Sequence, residues 1–153
     1  MKPPPEQTTE PYRLDAALDF MRLLWAIEHG LQKRSKRLKA QIGITGPQRL
    51  VLRIVGRYPG ISAGDLARLI KLHPSTVTGI LQRLVSARLL RRERHPVDSR
   101  RVSLWTTRRA AAHARPSAGP VERTVRDVLR RASPSDTAAA RGLLGELARR
   151  LNE

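Results

Sequence analysis

Residues 61–107 read ISAGDLARLIKLHPSTVTGILQRLVSARLLRRERHPVDSRRVSLWTT, and the order of patterns within this stretch decides the fold. Two compact helical patterns joined by a short turn precede a strand, an Arg-rich loop and a second strand. That succession predicts a helix-turn-helix carrying a two-stranded β wing, in a chain that is otherwise helical: a mainly α (α+β) winged fold.

The first helical pattern opens at Ser62, Ala63, Gly64 and Asp65, which have capping-box spacing, and continues with Leu66, Ala67, Leu69 and Ile70. After the turn Lys71, Leu72 and His73, Pro74 falls at the first helical position, where its missing N–H leaves nothing unpaired and His73 serves as the cap. Val77, Ile80, Leu81, Leu84 and Val85 recur at i, i+3, i+4, i+7 and i+8 and pack inward. Ser75, Thr76, Thr78, Gly79, Gln82 and Arg83 are left facing out. Short hydroxyl side chains at a helix N-terminus, followed by Gln and Arg, suit contact with phosphates and base edges, although an ordinary solvated face with good caps has the same composition.

The neighbouring hairpin favours the nucleic-acid reading. It begins at Leu89 and Leu90, turns through Arg91 to Arg101, and returns through Val102, Leu104 and Thr106 with period-two alternation. Pro96 and the pair Asp98 and Ser99 are turn residues, so the tip lies between the strands. An arginine there, Arg100 foremost, has the reach to enter a minor groove. Asp98 would repel phosphate, which leaves it the role of holding Arg100 or a helix arginine in place. Arg92, Arg94 and Arg101 lie in the same basic segment and complete the candidate DNA-contact set of Ser75, Thr76, Thr78, Gln82, Arg83, Asp98 and Arg100.

Upstream, Thr45, Gly46, Pro47 and Gln48 form a helix start, and Leu50, Val51, Ile54 and Val55 fall on one side of the helix that follows. Gly56 to Gly60, with Tyr58 and Pro59, end it. From Leu14 to Leu38 the apolar positions Leu14, Ala17, Leu18, Met21, Leu24, Trp25, Ile27, Leu31 and Leu38 predict a long amphipathic helix. Lys33, Arg34, Lys36, Arg37 and Lys39 on its second half read as a solvated face more readily than as phosphate contacts. Residues 1–11 combine four Pro with polar side chains and form an arm without fixed structure.

Downstream, Thr107 is the N-cap candidate for the next helix, Pro116 and Pro120 break or kink it, and Val121 to Arg131 continue it. A final helix starting at Ser133 to Asp136 carries Leu143, Leu144, Leu147 and Leu151 on one face. This stripe and that of the first helix have no partner within a small winged domain, whereas pairing two chains would bury both. The chain thus divides into an arm (1–11), an N-terminal dimerisation helix (12–44), the winged helix-turn-helix (45–108) and C-terminal dimerisation helices (109–153).

Composition agrees. Thirty Lys and Arg against thirteen Asp and Glu leave +17 on 153 residues, a field that attracts polyanions. Twenty-five of the thirty are Arg, which is suited to bidentate base contacts, although base composition of the genome also raises Arg throughout. Location is more telling, because residues 83–115 hold ten Arg against Glu93 and Asp98, or +8 of the +17. No apolar run reaches the ~20 residues needed to cross a bilayer, and MKPPPEQTTEP lacks the apolar segment of a signal peptide, so a cytoplasmic protein is expected. Absence of Cys removes thiol chemistry. His29, His73, His95 and His113 lie far apart, and neither a Gly-rich phosphate loop nor a nucleophile elbow occurs, so no metal, no cofactor and no enzymatic activity are expected.

Taken in order, TGPQRLVLRIV, ISAGDLARLIKLHPSTVTGILQRLVSARLLRRE and HPVDSRRVSLWTT resemble the MarR family of winged-helix transcriptional regulators, and the resemblance runs from about Leu14 to Leu151. It implies a homodimer with intertwined first and last helices that recognises a pseudo-palindromic operator in double-stranded DNA. Pro74 to Val85 match the family's recognition helix, Arg100 its wing-tip arginine, Asp98 the acidic partner, and Arg92 a basic residue that helps bind or brace the wing. Arg88 stands where relatives have a helix-closing Gly, at a cost of roughly 1 kcal/mol if that left-handed backbone is kept. The resemblance also implies a small aromatic or phenolic effector, for which Phe20 and Trp25 are the candidates; core or dimer-interface packing is the plainer account of both. The competing reading of the whole chain is an architectural, nonspecific DNA coat driven by charge.

Overall fold

The capping signals come true as helix starts in the computed structural model, which describes residues 14–94, 98, 102–114 and 119–153. Asp15 accepts from the Leu18 amide (2.9 Å) and opens α1 (Ala16–Ile42). This helix runs four residues past Leu38, where the expected pattern stopped, because nothing in Lys39 to Ile42 breaks it. It ends at Gly43, whose φ of 77° is open to a residue without Cβ. The full capping box forms at α2 (Gly46–Arg57): Gln48 N donates to the Thr45 hydroxyl (3.4 Å) and Thr45 N to Gln48 Oε1 (2.9 Å). Ser62 accepts from the Asp65 amide (3.0 Å) at the head of α3 (Ala63–Ile70), and His73 Nδ1 from the Ser75 amide (3.3 Å) at the head of α4 (Pro74–Ser86).

These helices enclose one core. Val51, Leu52 and Val55 of α2, Leu66 of α3, and Val77, Leu81 and Leu84 of α4 are almost fully enclosed together with Leu104. Each such side chain contributes about 1.5–3 kcal/mol relative to exposure, so this cluster holds α4 at a set rotation. The buried stripe of α2 is Val51, Leu52 and Val55; Leu50, expected on that side, is half exposed because it lies about 150° around the helix axis from the stripe's centre.

Helix α4 closes with a left-handed residue at Arg88 (φ 57°). Leu89 N donates to Leu84 O and Arg88 N to Val85 O, both at 2.9 Å, the paired bonds of a Schellman turn, and buried Leu84 and Leu89 supply its apolar contact. The familiar turn is therefore kept without glycine. The turn between α3 and α4 likewise uses a left-handed lysine, Lys71 (φ 52°).

Strand β1 (Leu90–Arg94) pairs antiparallel with β2 (Val102–Thr106), Leu90 opposite Thr106 and Arg94 opposite Val102. Arg91 to Arg94, expected within the loop, are thus strand: exposed positions on a hairpin accept arginine as long as the partner backbone continues. Period-two burial in β2 is also altered. Leu104 is enclosed as expected, but Val102 is exposed and Ser103 buried. The reason is a third backbone at the other edge of β2, where Gly60 N donates to Leu104 O (2.9 Å), Leu104 N to Ile61 O (3.0 Å), and Ser62 bridges Ser103.

Thr107 takes the N-cap position after β2, yet its hydroxyl donates backwards to Arg88 O (2.7 Å) and so ties the hairpin base to the end of α4. A 3-10 turn (Arg108–Ala110), the short α5 (Ala111–Ala114), α6 (Pro120–Leu129) and α7 (Pro134–Arg150) follow. Pro120 begins α6 and does not interrupt it, since proline suits a first turn; Pro116 and the arm at 1–11 lie outside the described residues. Apolar side chains of α1, α6 and α7, among them Leu18, Ile27, Val128 and Leu143, are left half exposed or more in the single chain.

Arg88→Gly is expected to raise stability by about 1 kcal/mol, because glycine adopts the left-handed region without a Cβ penalty. Urea unfolding at neutral pH measures it; an unchanged or lower midpoint would mean that the turn carries no such strain.

Candidate nucleic-acid interface

With the apolar face of α4 buried, the opposite face is presented by geometry alone. Ser75, Thr76, Thr78, Gln82 and Arg83 are all exposed on it, while Gly79, expected outward with them, is half buried. Two of the hydroxyls already have partners. Ser75 Oγ lies 2.7 Å from His73 Nδ1, the same nitrogen that receives the Ser75 amide. An acceptor Nδ1 puts the ring proton on Nε2, so His73 is a donor on its exposed edge. Thr78 Oγ1 donates to Pro74 O (2.9 Å) and so offers its methyl group and its lone pairs outward. In that rotamer Thr78 suits a thymine methyl or a base amino group better than a phosphate. Gln82 and Arg83, a turn further on, have the length to reach base edges and backbone respectively.

The hairpin sorts its basic side chains by face. Opposite positions in an antiparallel pair share a side, so Arg91 stands with Trp105, and Arg92 and Arg94 fall on the other side with Leu104 and Val102. Arg91 lies 5.6 Å from the centroid of the Trp105 ring and is ion-paired with Glu93. It braces the hairpin. Arg92 and Arg94 are exposed and remain with the candidate contacts. Asp98 is exposed; Arg100 and Arg101 lie outside the described residues, and with them the expected Asp98 to Arg100 pairing.

Phe20 and Trp25 are not brought together. Both are exposed on α1, and five residues separate them by about 140° around the helix axis. Among the described residues, no group of three His, Cys, Asp or Glu is arranged to hold a metal ion, and no helix is long and apolar enough to cross a membrane.

A constellation that local sequence patterns did not reveal sits where the winged domain meets the C-terminal helices. Arg49 and Arg53, one turn apart on α2, both donate to Glu122 Oε1, at 3.2 and 3.0 Å. Arg49 also donates to the carbonyl of His113 (3.1 Å) and is almost fully buried. Arg34 of α1 donates to Pro120 O (3.3 Å) at the head of α6. Gly119 makes room for this arrangement: a Cβ there would collide with Glu122 Oε2 and lie 2.9 Å from Arg49 Nε. Burial by itself raises the Glu122 pKa, but its own backbone N–H, the Arg53 hydrogen bond and the charge and hydrogen bond of Arg49 together outweigh that and hold it below the ordinary glutamate value. Seventy-three residues separate Arg49 from Glu122, and the only local signal was the recurrence of Arg49, Arg53 and Arg57 at four-residue steps on α2.

Residues 42–101 match the sequence profile of the MarR family. The HTH-type transcriptional regulator TtmR of Methylorubrum extorquens (strain PA1) is 32% identical over 98 residues, 64% of this chain and 49% of that protein, so the chain matches about half the length of this curated relative. Among solved structures, S. aureus MepR in complex with DNA superposes with a TM-score of 0.69 at 20% identity, covering 86% of this chain and 97% of that one. PcaV of Streptomyces coelicolor, in complex with its natural ligand, gives 0.66 at 22% identity, covering 90% and 96%. At these identities the structural likeness speaks for the fold, a helical winged architecture with a two-stranded sheet.

Because a depressed carboxylate pKa adds stability above the unfolded-state value and loses it as pH falls through the folded-state value, wild type should exceed Glu122→Gln in thermal midpoint at pH 7. The gap should close as pH is lowered below the ordinary glutamate value and through the lower folded-state one. A gap independent of pH would assign the effect to packing and not to the ionised group.

Proposed function

We propose that this chain, whose residues 42–101 match the MarR family profile and which is 32% identical over 98 residues to a curated transcriptional regulator, is a MarR-family, sequence-specific transcriptional regulator that binds a pseudo-palindromic site in double-stranded DNA as a homodimer. Helix α4 enters the major groove with Ser75, Thr76, Thr78, Gln82 and Arg83, and the hairpin, with Arg92, Arg94, Arg100 and Arg101, lies along the backbone and into the minor groove. The observation that carries this reading is the division of α4. Its apolar face is consumed by the core, so its exposed polar face stands beside a hairpin in the most basic third of the chain. Dimerisation is supported by the half-exposed apolar faces of α1, α6 and α7, which water would otherwise solvate at a cost. In the dimer the two α4 helices sit about 34 Å apart, one turn of B-form DNA, and their occupation of a promoter represses it.

A small aromatic or phenolic ligand relieves that repression if it prefers a helix spacing that the operator rejects. PcaV, solved with its natural ligand, lends support to such an effector. Since Phe20 and Trp25 diverge on one α1, a site using both would need side chains of the second copy.

A net charge of +17 also suits the nonspecific coat, and sequence preference separates the two. In mobility shifts at near-physiological salt, a palindrome from the promoter is expected to bind about a thousandfold or more tighter than scrambled DNA. A ratio near one would establish the coat and overturn the regulator. Gln82→Ala is expected to change base preference with little change in salt dependence, and Arg100→Ala to weaken operator binding markedly. Operator affinity unaltered by Arg100→Ala would remove the hairpin tip from recognition.

A further inference from the structure

The joint at Glu122 links the winged core to α1, α5 and α6, which a dimeric reader must keep in register. Helix α2 is the centre of the winged core, so Arg49 and Arg53 report where the reading head is. Helices α1 and α6 carry unpartnered apolar faces. Arg34 ties α1 to the first residue of α6, His113 O brings in α5, and the carboxylate of Glu122 closes the set from the third residue of α6. Three guanidinium groups from two helices therefore converge on the first turn of a third. We infer that Glu122 is a positioning residue for DNA recognition: held by Arg49 and Arg53, it sets the angle between winged domain and C-terminal helices, and thereby the separation of the two α4 helices on the operator. This rests on the dimeric regulator proposed above.

The physical case is one of stiffness and leverage. A tilt of about 10° over a helix length of about 20 Å moves the far end by about 3.5 Å, which is one base-pair rise. A single apolar contact is too compliant to hold such an angle, since its energy varies slowly with sliding. Charge-assisted hydrogen bonds between two guanidinium groups and one carboxylate oxygen are directional, and burial of Arg49 shields them from water. The Gly119 cradle allows the carboxylate to fold back against its own helix start, and any larger residue there would push Glu122 and Arg49 apart. Neither Glu122 nor Arg53 is on α4 or the hairpin, so their loss leaves the DNA-contacting face of each protomer intact.

The test measures each full-length protein against duplexes selected from a random pool. One series carries a single half-site, and another carries two half-sites with the spacer lengthened or shortened one base pair at a time. Wild type should favour two half-sites strongly and at one spacing. Glu122→Gln keeps shape while removing charge, and should bind a single half-site within about twofold of wild type, bind the two-half-site duplex about tenfold more weakly, and show a broadened spacing preference. Arg53→Gln, at a side chain one quarter exposed and with the Arg49 to Glu122 pair retained, should shift the same way by less, and it carries the test should Glu122→Gln fail to fold. Wild-type spacing preference in the folded variants, or an equal loss on single and double sites, would overturn the inference. Wild type that gains nothing from a second half-site would instead overturn the dimeric reading, so the two failures are distinguishable.

Discussion

Everything in the reading head depends on the enclosure of Val77, Leu81 and Leu84 against Val51, Leu52, Val55, Leu66 and Leu104. A helix with apolar side chains on one stripe has a single rotation at which that stripe is buried, and choosing it determines which residues face outward. The outward set of α4 is therefore a by-product of packing. Leu104 extends the same constraint to the hairpin, because it belongs to the core and to β2, so the strand pair cannot slide without emptying the core.

Polar bonds then refine what the core has placed. Thr107 fastens the base of the hairpin to the end of α4, the 60–62 segment fastens the outer edge of β2, and Arg91 with Trp105 and Glu93 stiffens one face of the hairpin. The result is that helix and hairpin form one body. Arg88 and Lys71 show where this body tolerates backbone cost. Both occupy left-handed turns that glycine would enter more easily, and both turns are stitched by hydrogen bonds from flanking buried or capped segments.

The winged domain and the helices around it are joined by a different kind of interaction. The apolar core ends at Ala110, and beyond it Arg49 and Arg53 hold α6 through Glu122, Arg34 holds the head of α6, and the α3–α4 turn at Lys71 lies against α7 at Gly145. A buried guanidinium is tolerated best beside an opposite charge, so removing the carboxylate leaves Arg49 its hydrogen bond to His113 O but takes away the counter-charge of Glu122.

Helix starts and the rotation of α4 were legible from residue order because they depend on interactions two to four residues apart: Thr45 with Gln48, Ser62 with Asp65, His73 with Ser75; the hairpin was legible from two short strand patterns flanking turn residues. The exposed candidates Ser75, Thr76, Thr78, Gln82 and Arg83 followed from the same periodicity. Burial of Ser103, extension of β1 through Arg94, the backward bond of Thr107 and the divergence of Phe20 from Trp25 were decided by tertiary structure. So was the Glu122 joint. Each of these brings together groups far apart in the chain or depends on the path of a neighbouring backbone, and no local period encodes which distant carboxylate an arginine will meet.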